Sequence, residues 1–271
     1  GPPTPPVMSE GTVTIQDRFR QRRREGRAAL IPYRTAGFPD APTSLELMGT
    51  MARAGADILE LGIPFSDPLA DGPVIQGTSY RALKEGMTVA GALDLLRAFR
   101  KEHDTPVVLF TYLNPALRFG MERFLAEAVE AGAQGLLLTD LPSGADPGLE
   151  ETILGTPLDL IRLMAPTTPL SRAGTVVRGG GGFLYYISRT GVTGARTELR
   201  GELKEELEAL REFTDLPIAV GFGIAGPEQA RVVAGVAEGV VVGSALMEAL
   251  DRDGVAGAEA LLARLREGMD Q

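Results

Sequence analysis

The sequence predicts an α/β chain folded as a single (β/α)8 TIM barrel with an extra N-terminal helix. Three observations carry that expectation. Eight short apolar runs, several rich in β-branched residues, recur along the chain, as strands buried on both faces of a parallel sheet do. Segments of helical period lie between them, with glycines where helix stops belong. The length of 271 residues suits one such barrel, and 44% hydrophobic with 23% charged residues is an ordinary globular balance.

In chain order, residues 1–12 begin Gly1-Pro-Pro-Thr-Pro-Pro6 and read as a disordered tail, the leading Gly suggesting processing or an expression scar. Residues 13–271 read as one catalytic barrel domain. The start lacks the apolar core of a signal peptide, and no run of about 18 apolar residues offers a membrane span, so the expected location is cytoplasmic. Gln16–Arg27 carries Arg18, Arg20, Arg22, Arg23, Arg24 and Arg27 and reads as a solvated amphipathic helix. The strands are Ala28–Thr35, Asp57–Ile63, Pro106–Tyr112, Gly135–Thr139, Leu158–Ala165, Phe183–Ser188, Pro217–Gly221 and Gly239–Val242. Helical patterns cover Ser44–Arg53, Val89–Lys101, Glu122–Glu130, Glu202–Phe213, Pro227–Gly235 and Ala256–Arg266. Ala54-Gly-Ala-Asp57-Ile-Leu-Glu-Leu61 and Ala131-Gly-Ala-Gln134-Gly-Leu-Leu-Leu138 repeat one helix-to-strand joint. Pro142–Thr156, broken by Pro and Gly, and the run Gly179–Gly182 predict a loosely packed flank. An open doubly wound sheet is the alternative, but its first-loop glycine fingerprint is absent.

Composition narrows the chemistry. A net charge of −9 argues against nucleic acid or an anionic membrane as the main partner. With no cysteine and only His103, thiolate nucleophiles, Cys-ligated zinc and multi-histidine metal cages are excluded, so no metal site is expected. His103 itself reads as a surface residue near a helix end. Any chemistry must come from carboxylates, hydroxyls, lysine, arginine or the backbone.

In such barrels the active residues sit at the carboxyl ends of the strands. Glu60 is a carboxylate inside the apolar run Leu59-Glu60-Leu61-Gly62-Ile63. Desolvation would raise its pKa and suit it to proton transfer, unless a buried Arg or Lys pairs with it. Asp67 and Asp71 lie in the following Pro/Gly-punctuated loop, either as turn caps or, for Asp71, folded back toward Glu60. Ser188-Arg-Thr-Gly-Val-Thr-Gly194 is polar and glycine-bearing, a lid or an ordinary surface loop. Gly221-Phe-Gly223-Ile-Ala-Gly226 and Val242-Gly243-Ser244-Ala245 precede helices, so they form either tight turns or a phosphate site of backbone N–H groups.

These stretches together resemble the alpha subunit of tryptophan synthase. Leu59-Glu60-Leu-Gly-Ile-Pro-Phe-Ser-Asp-Pro-Leu-Ala-Asp71-Gly-Pro-Val-Ile-Gln76 is the most specific of them, and the likeness runs from about Phe19 to the C-terminus. The resemblance implies a retro-aldol lyase that cleaves indole-3-glycerol phosphate to indole and glyceraldehyde 3-phosphate. It implies Glu60 as acid/base and Asp71 as acceptor of the indole N–H. Tyr185 would lie beside the reacting centre, and Tyr33, Ile75, Phe110 and Leu137 would line the indole pocket. Thr193 would meet Asp71 on closure. Gly194, Gly223, Gly243 and Ser244 would bind phosphate. It further implies no cofactor in this chain and a beta subunit holding pyridoxal phosphate in an α2β2 assembly, met through Asp67–Pro73 and Tyr112–Pro115. Arg34 departs from the family pattern, which is usually apolar there. Other phosphate-handling barrels, isomerases or aldolases, generally use a Lys, His or metal that these strand ends lack. A non-catalytic partner that only activates the beta subunit would not need Glu60 and Asp71.

Overall fold

A computed structural model describes residues 13–188, 196–221 and 223–271; Thr193 and Gly194 therefore lie outside the described residues. Helix α1 (Ile15–Arg24) begins at a reciprocal cap between Thr14 and Asp17. The chain then alternates β1 (Ala29–Thr35), α2 (Ala41–Arg53), β2 (Leu59–Gly62), α3 (Pro73–Lys84), α4 (Val89–Arg100), β3 (Val107–Thr111), α5 (Leu113–Phe119), α6 (Met121–Ala131) and β4 (Gly135–Leu138). It continues through α7 (Pro147–Leu154), β5 (Asp159–Leu160), β6 (Arg162–Met164), α8 (Ala173–Val176) and β7 (Leu184–Ile187). The last elements are α9 (Arg196–Leu210), β8 (Ile218–Gly221), α10 (Pro227–Ala234), β9 (Gly239–Val242) and α11 (Ser244–Met269).

All the strand pairings are parallel, and the order is β5-β4-β3-β2-β1-β9-β8-β7-β6. The fifth predicted strand is broken at Ile161. Its first half pairs with β4 and its second half with β7. The covalent chain thus closes the ring, and nine hydrogen-bonded segments make eight staves.

Strand alternation sorts the side chains into two layers. Ala29, Ile31, Ile58, Val108, Leu137, Phe183, Ala219 and Val241 fill the barrel interior, joined from below by Ile15 and Phe19 of α1. That helix is therefore a plug and not merely a solvated surface element. The other strand faces, among them Leu30, Leu59, Leu61 and Leu109, pack against helix residues such as Leu47, Leu96 and Phe124.

The repeated joint has a physical basis. Gly55 and Gly132 end α2 and α6 with φ of 101° and 103°, a conformation that favours glycine. Asp57 then accepts the Leu30 N–H at 2.8 Å and Arg266 Nη1 at 3.1 Å. Gln134 does the same for the Val107 N–H at 2.7 Å and Arg100 Nη2 at 3.1 Å. Glu238 repeats it with the Ile218 N–H at 2.9 Å and Arg211 Nη2 at 2.9 Å. Each clamp ties the start of one strand to its neighbour through an arginine.

The flank expected to be loose is tightly held. Arg162 donates through Nε and Nη2 to the Arg178 carbonyl and through Nη1 to Glu150 of α7 at 3.0 Å. Glycine is needed in the 179–182 run because a Cβ at Gly180 would lie 2.9 Å from Arg162 Cγ and one at Gly181 2.7 Å from Asp159 Oδ1. Those glycines mark close approach, not slack. No helix among the described residues is long and apolar enough to cross a membrane.

Candidate active site

Glu60 stands on β2 in register with Tyr33 of β1 and Val108 of β3. Its neighbours Leu59 and Leu61 face the helices, so alternation turns Glu60 into the barrel. It is 1% exposed, and its Oε2 atom has no hydrogen-bond partner among the described residues. Desolvation alone raises its pKa to about 8. No buried arginine or lysine is paired with it among the described residues, so the paired-carboxylate alternative fails. At neutral pH this side chain holds a proton.

Three aromatic rings stand close above it. Phe110 meets Tyr33 edge-on at 5.9 Å and Tyr185 at 6.1 Å between centroids. Burial, with Asp71 and then Glu60 nearby, keeps the Tyr33 phenol neutral. For Tyr185 burial dominates again, followed by Glu60, Tyr33 and Asp71. These mutual influences bring Tyr33, Glu60, Asp71 and Tyr185 into one neighbourhood. Both phenols are expected to stay protonated as hydrogen-bonding groups.

Asp71 sits in the loop between β2 and α3. Burial raises its pKa, and a Tyr112 hydrogen bond opposes the rise. The Tyr112 hydroxyl also accepts the Ala70 N–H at 3.0 Å, while Gln76 Nε2 donates to the Asp71 carbonyl at 2.7 Å. The loop is thus stapled on both sides of Asp71. Asp67 is exposed, as a turn residue would be.

The remaining expected residues distribute unevenly. Leu137 lies wholly inside the interior cluster, and Ile75 packs from the first turn of α3 against the outer layer. Gly223, with φ of 71°, and Ser244 are exposed ahead of α10 and at the start of α11. First-turn N–H groups of a helix have no intrahelical acceptor and can meet an anion. A Cβ at Gly243 would stand 3.5 Å from Tyr33 Cβ, an ordinary contact, so that loop has room.

Sequence reasoning missed several supports. The Thr35 hydroxyl lies 3.2 Å from the Tyr33 hydroxyl and 2.8 Å from that of Thr78, which donates to the Ile75 carbonyl at 3.0 Å. This chain links β1 to α3. Gly62 and Gly221 make space for the two tyrosines: a methyl at Gly62 would overlap the Tyr33 hydroxyl, and one at Gly221 would lie 2.6 Å from that of Tyr185. Each glycine sits two residues along an inward-facing row, a signal the alternation already contained.

Fold and site together define a (β/α)8 barrel with a desolvated carboxyl group and a half-buried carboxylate in one neighbourhood. The tryptophan synthase alpha chain family matches residues 19–270. A tryptophan synthase alpha chain from Gluconobacter oxydans is 46% identical over 237 residues, 87% of this chain and 88% of that one. One from Synechococcus elongatus is 45% identical over 258 residues, 95% and 97% of the two chains. Among solved structures, tryptophan synthase subunit alpha from Legionella pneumophila superposes with a TM-score of 0.86 at 37% identity, covering 94% of this chain and 98% of that one. A chain of Mycobacterium tuberculosis tryptophan synthase gives 0.85 at 32% identity, covering 95% and 100%. The chain belongs to the tryptophan synthase alpha chain family. It is a lyase of tryptophan biosynthesis that cleaves indole-3-glycerol phosphate to indole and glyceraldehyde 3-phosphate. The family needs no cofactor in this chain and implies a beta-subunit partner.

Proposed function

We propose that Glu60 is the acid and base of this cleavage and that Asp71 is its electrostatic partner. Protonated Glu60 gives its proton to the indole C3. Positive charge then develops on the ring nitrogen, where the Asp71 carboxylate accepts the N–H hydrogen bond. The Glu60 carboxylate left behind takes the proton of the glycerol hydroxyl on the side-chain carbon bonded to indole C3. As that oxygen becomes a carbonyl, the C–C bond breaks, its electrons return to the indole ring, and Glu60 is protonated again. Protonating C3 first avoids an indole carbanion. The observation that carries this reading is the buried carboxyl of Glu60, whose Oε2 has no partner among the described residues.

Tyr185, Tyr33, Phe110, Leu137 and Ile75 are assigned to the indole pocket, and Thr193 to contact with Asp71 on closure. Gly194, Gly223, Gly243 and Ser244 are assigned to the substrate phosphate, held by backbone N–H groups. The partner is assigned as a beta subunit carrying pyridoxal phosphate in an α2β2 assembly in the cytoplasm. The exposed Leu69, in the loop expected to face it, supports that docking.

The test is indole release from indole-3-glycerol phosphate, with and without a beta subunit. Glu60→Gln should abolish release while leaving the fold intact, and near-normal turnover would refute the assigned base. A substrate analogue lacking the phosphate should bind more weakly. Equal binding would move the anion site elsewhere.

A further inference from the structure

We propose that the amino end of the barrel carries a second ligand site, which takes a small organic anion with an apolar body. The arginine-rich segment ahead of β1 is only partly explained by the fold. Arg18 pairs with Asp104, Arg22 with Asp57 and Glu25, and Arg27 with Glu25 and Asp270. Arg20 and Arg23 make no ion pair with any described carboxylate. With Gln16 they occupy positions i, i+4 and i+7 of α1, one face of the helix.

That face looks into a cavity of about 500 Å3, between α1 and the connections that lead into β8 and β9. The volume suits a small-molecule ligand, for which sites of ~300–1,000 Å3 are usual. Four arginines line it, Arg20, Arg23, Arg27 and Arg211, against the acids Asp215 and Glu238. Glu238 is already held by Arg211 and the Ile218 N–H, and Arg27 by its own acids. The balance left is two guanidinium groups outside any ion pair, one helical turn apart, with Asp17 within electrostatic reach of Arg20 and Asp215 the one lining carboxylate not already held. This is a positive site in a chain whose net charge is −9. Phe19, Ala28, Leu216, Pro217 and Ala237 supply an apolar wall beside the cations. A charged head on Arg20 and Arg23 with an aromatic or aliphatic body against that wall satisfies both features. The site lies at the opposite end of the barrel from Glu60.

Phenyl phosphate, with inorganic phosphate as the anion-only control, is the probe for an amide-shift titration of the full chain. Saturable shifts are expected at Gly26–Ala28 and Thr214–Leu216. Arg20→Gln with Arg23→Gln should weaken them at least tenfold, since both charged donors to the anion are lost. Shifts at Gly223 and Gly243, at the carboxyl end, should be unchanged by the substitution. Both arginines are exposed, so the variant should retain its circular dichroism and its rate of indole release. Arg23→Glu provides a second variant, with a larger loss expected. The proposal is overturned if the amino-end shifts are absent, if they survive both variants, or if inorganic phosphate binds there as tightly as phenyl phosphate.

Discussion

The two ends of the barrel treat charge in opposite ways. At the amino end Asp57, Gln134 and Glu238 each accept a strand N–H and an arginine, and Asp57 takes a further bond from Arg22 at 2.6 Å. Their oxygens are filled by fixed donors. At the carboxyl end Glu60 is as deeply buried as Asp57, yet its Oε2 atom has no donor at all. A buried carboxyl that the fold does not satisfy is costly as an anion, so it keeps a proton and can give it away. The amino end uses its polar groups to hold the ring together, and the carboxyl end leaves Glu60 Oε2 without a donor among the described residues, the atom proposed to meet substrate.

The contrast can be broken most severely at Asp57. Asp57→Ala removes the acceptor for Arg22, Arg266 and the Leu30 N–H together and leaves two cations underused in the interior. A loss of about 3–5 kcal/mol of stability is expected, read from denaturant unfolding. Activity per folded molecule should be nearly preserved. A loss below about 1 kcal/mol would show that the clamp is ornamental.

Glu60 tests the other side through pH. Its folded pKa of about 8 lies above its ordinary 4.5. Between those values the folded chain binds a proton that the unfolded chain has released. Stability from this group is therefore full below about 4.5 and declines as pH rises toward about 8. Glu60→Gln should lack that decline and gain on the wild type by a few kcal/mol at alkaline pH, an order-of-magnitude figure. Wild-type indole release should fall as pH rises through about 8, where the folded acid loses its proton. Parallel stability profiles for the two proteins would mean that Glu60 is charged in the folded state.

Gly221→Ala asks how closely the mouth is fitted. The added methyl comes 2.6 Å from the Tyr185 hydroxyl, so the ring must turn. Overpacking of this kind costs about 1–3 kcal/mol. Because Tyr185 borders Glu60, the larger effect should be on kcat for indole release. Unaltered kinetics would remove Tyr185 from the reacting centre.

Much of this was legible in the residues because strand period and helix period leave different marks. Glu60 stands out as a carboxylate inside an apolar run, and glycines mark the helix stops, as Gly55 and Gly132 do after α2 and α6. The repeat of Ala-Gly-Ala before Asp57 and Gln134 announced a common joint, but its arginine partners are 209 and 34 residues away in the chain and no local pattern carries them. The same limit hid Arg162 and its grip on Glu150 and Arg178. Without those partners the 179–182 glycines read as slack. The break at Ile161 was invisible for another reason: apolar continuity is the same whether one strand has two neighbours along its whole length or one neighbour for each half. Of the site, the carboxylates were legible from their placement in or after an apolar run. The Thr35–Thr78 link was not, because hydroxyls are common at strand ends.

Arg34 sharpens the comparison from outside both ends. It is fully buried, and strand alternation turns it toward the helices. It donates to the Thr35 carbonyl at 3.0 Å and the Phe38 carbonyl at 2.9 Å, while Nε and Nη1 have no partner. Desolvation works against its charge, and no carboxylate stands beside it. Unlike Asp57 it anchors no network, and unlike Glu60 it does not face the reacting centre. Replacing such a group by an apolar residue of similar length removes a desolvation penalty and gives up two neutral-acceptor hydrogen bonds, which roughly offset. Arg34→Met should therefore change stability by no more than about 1 kcal/mol, in either direction, and leave indole release unaltered. A loss approaching that of Asp57→Ala would mean that the turn after β1 depends on those two carbonyl contacts, and that an unsatisfied buried charge in this barrel can be structural as well as catalytic.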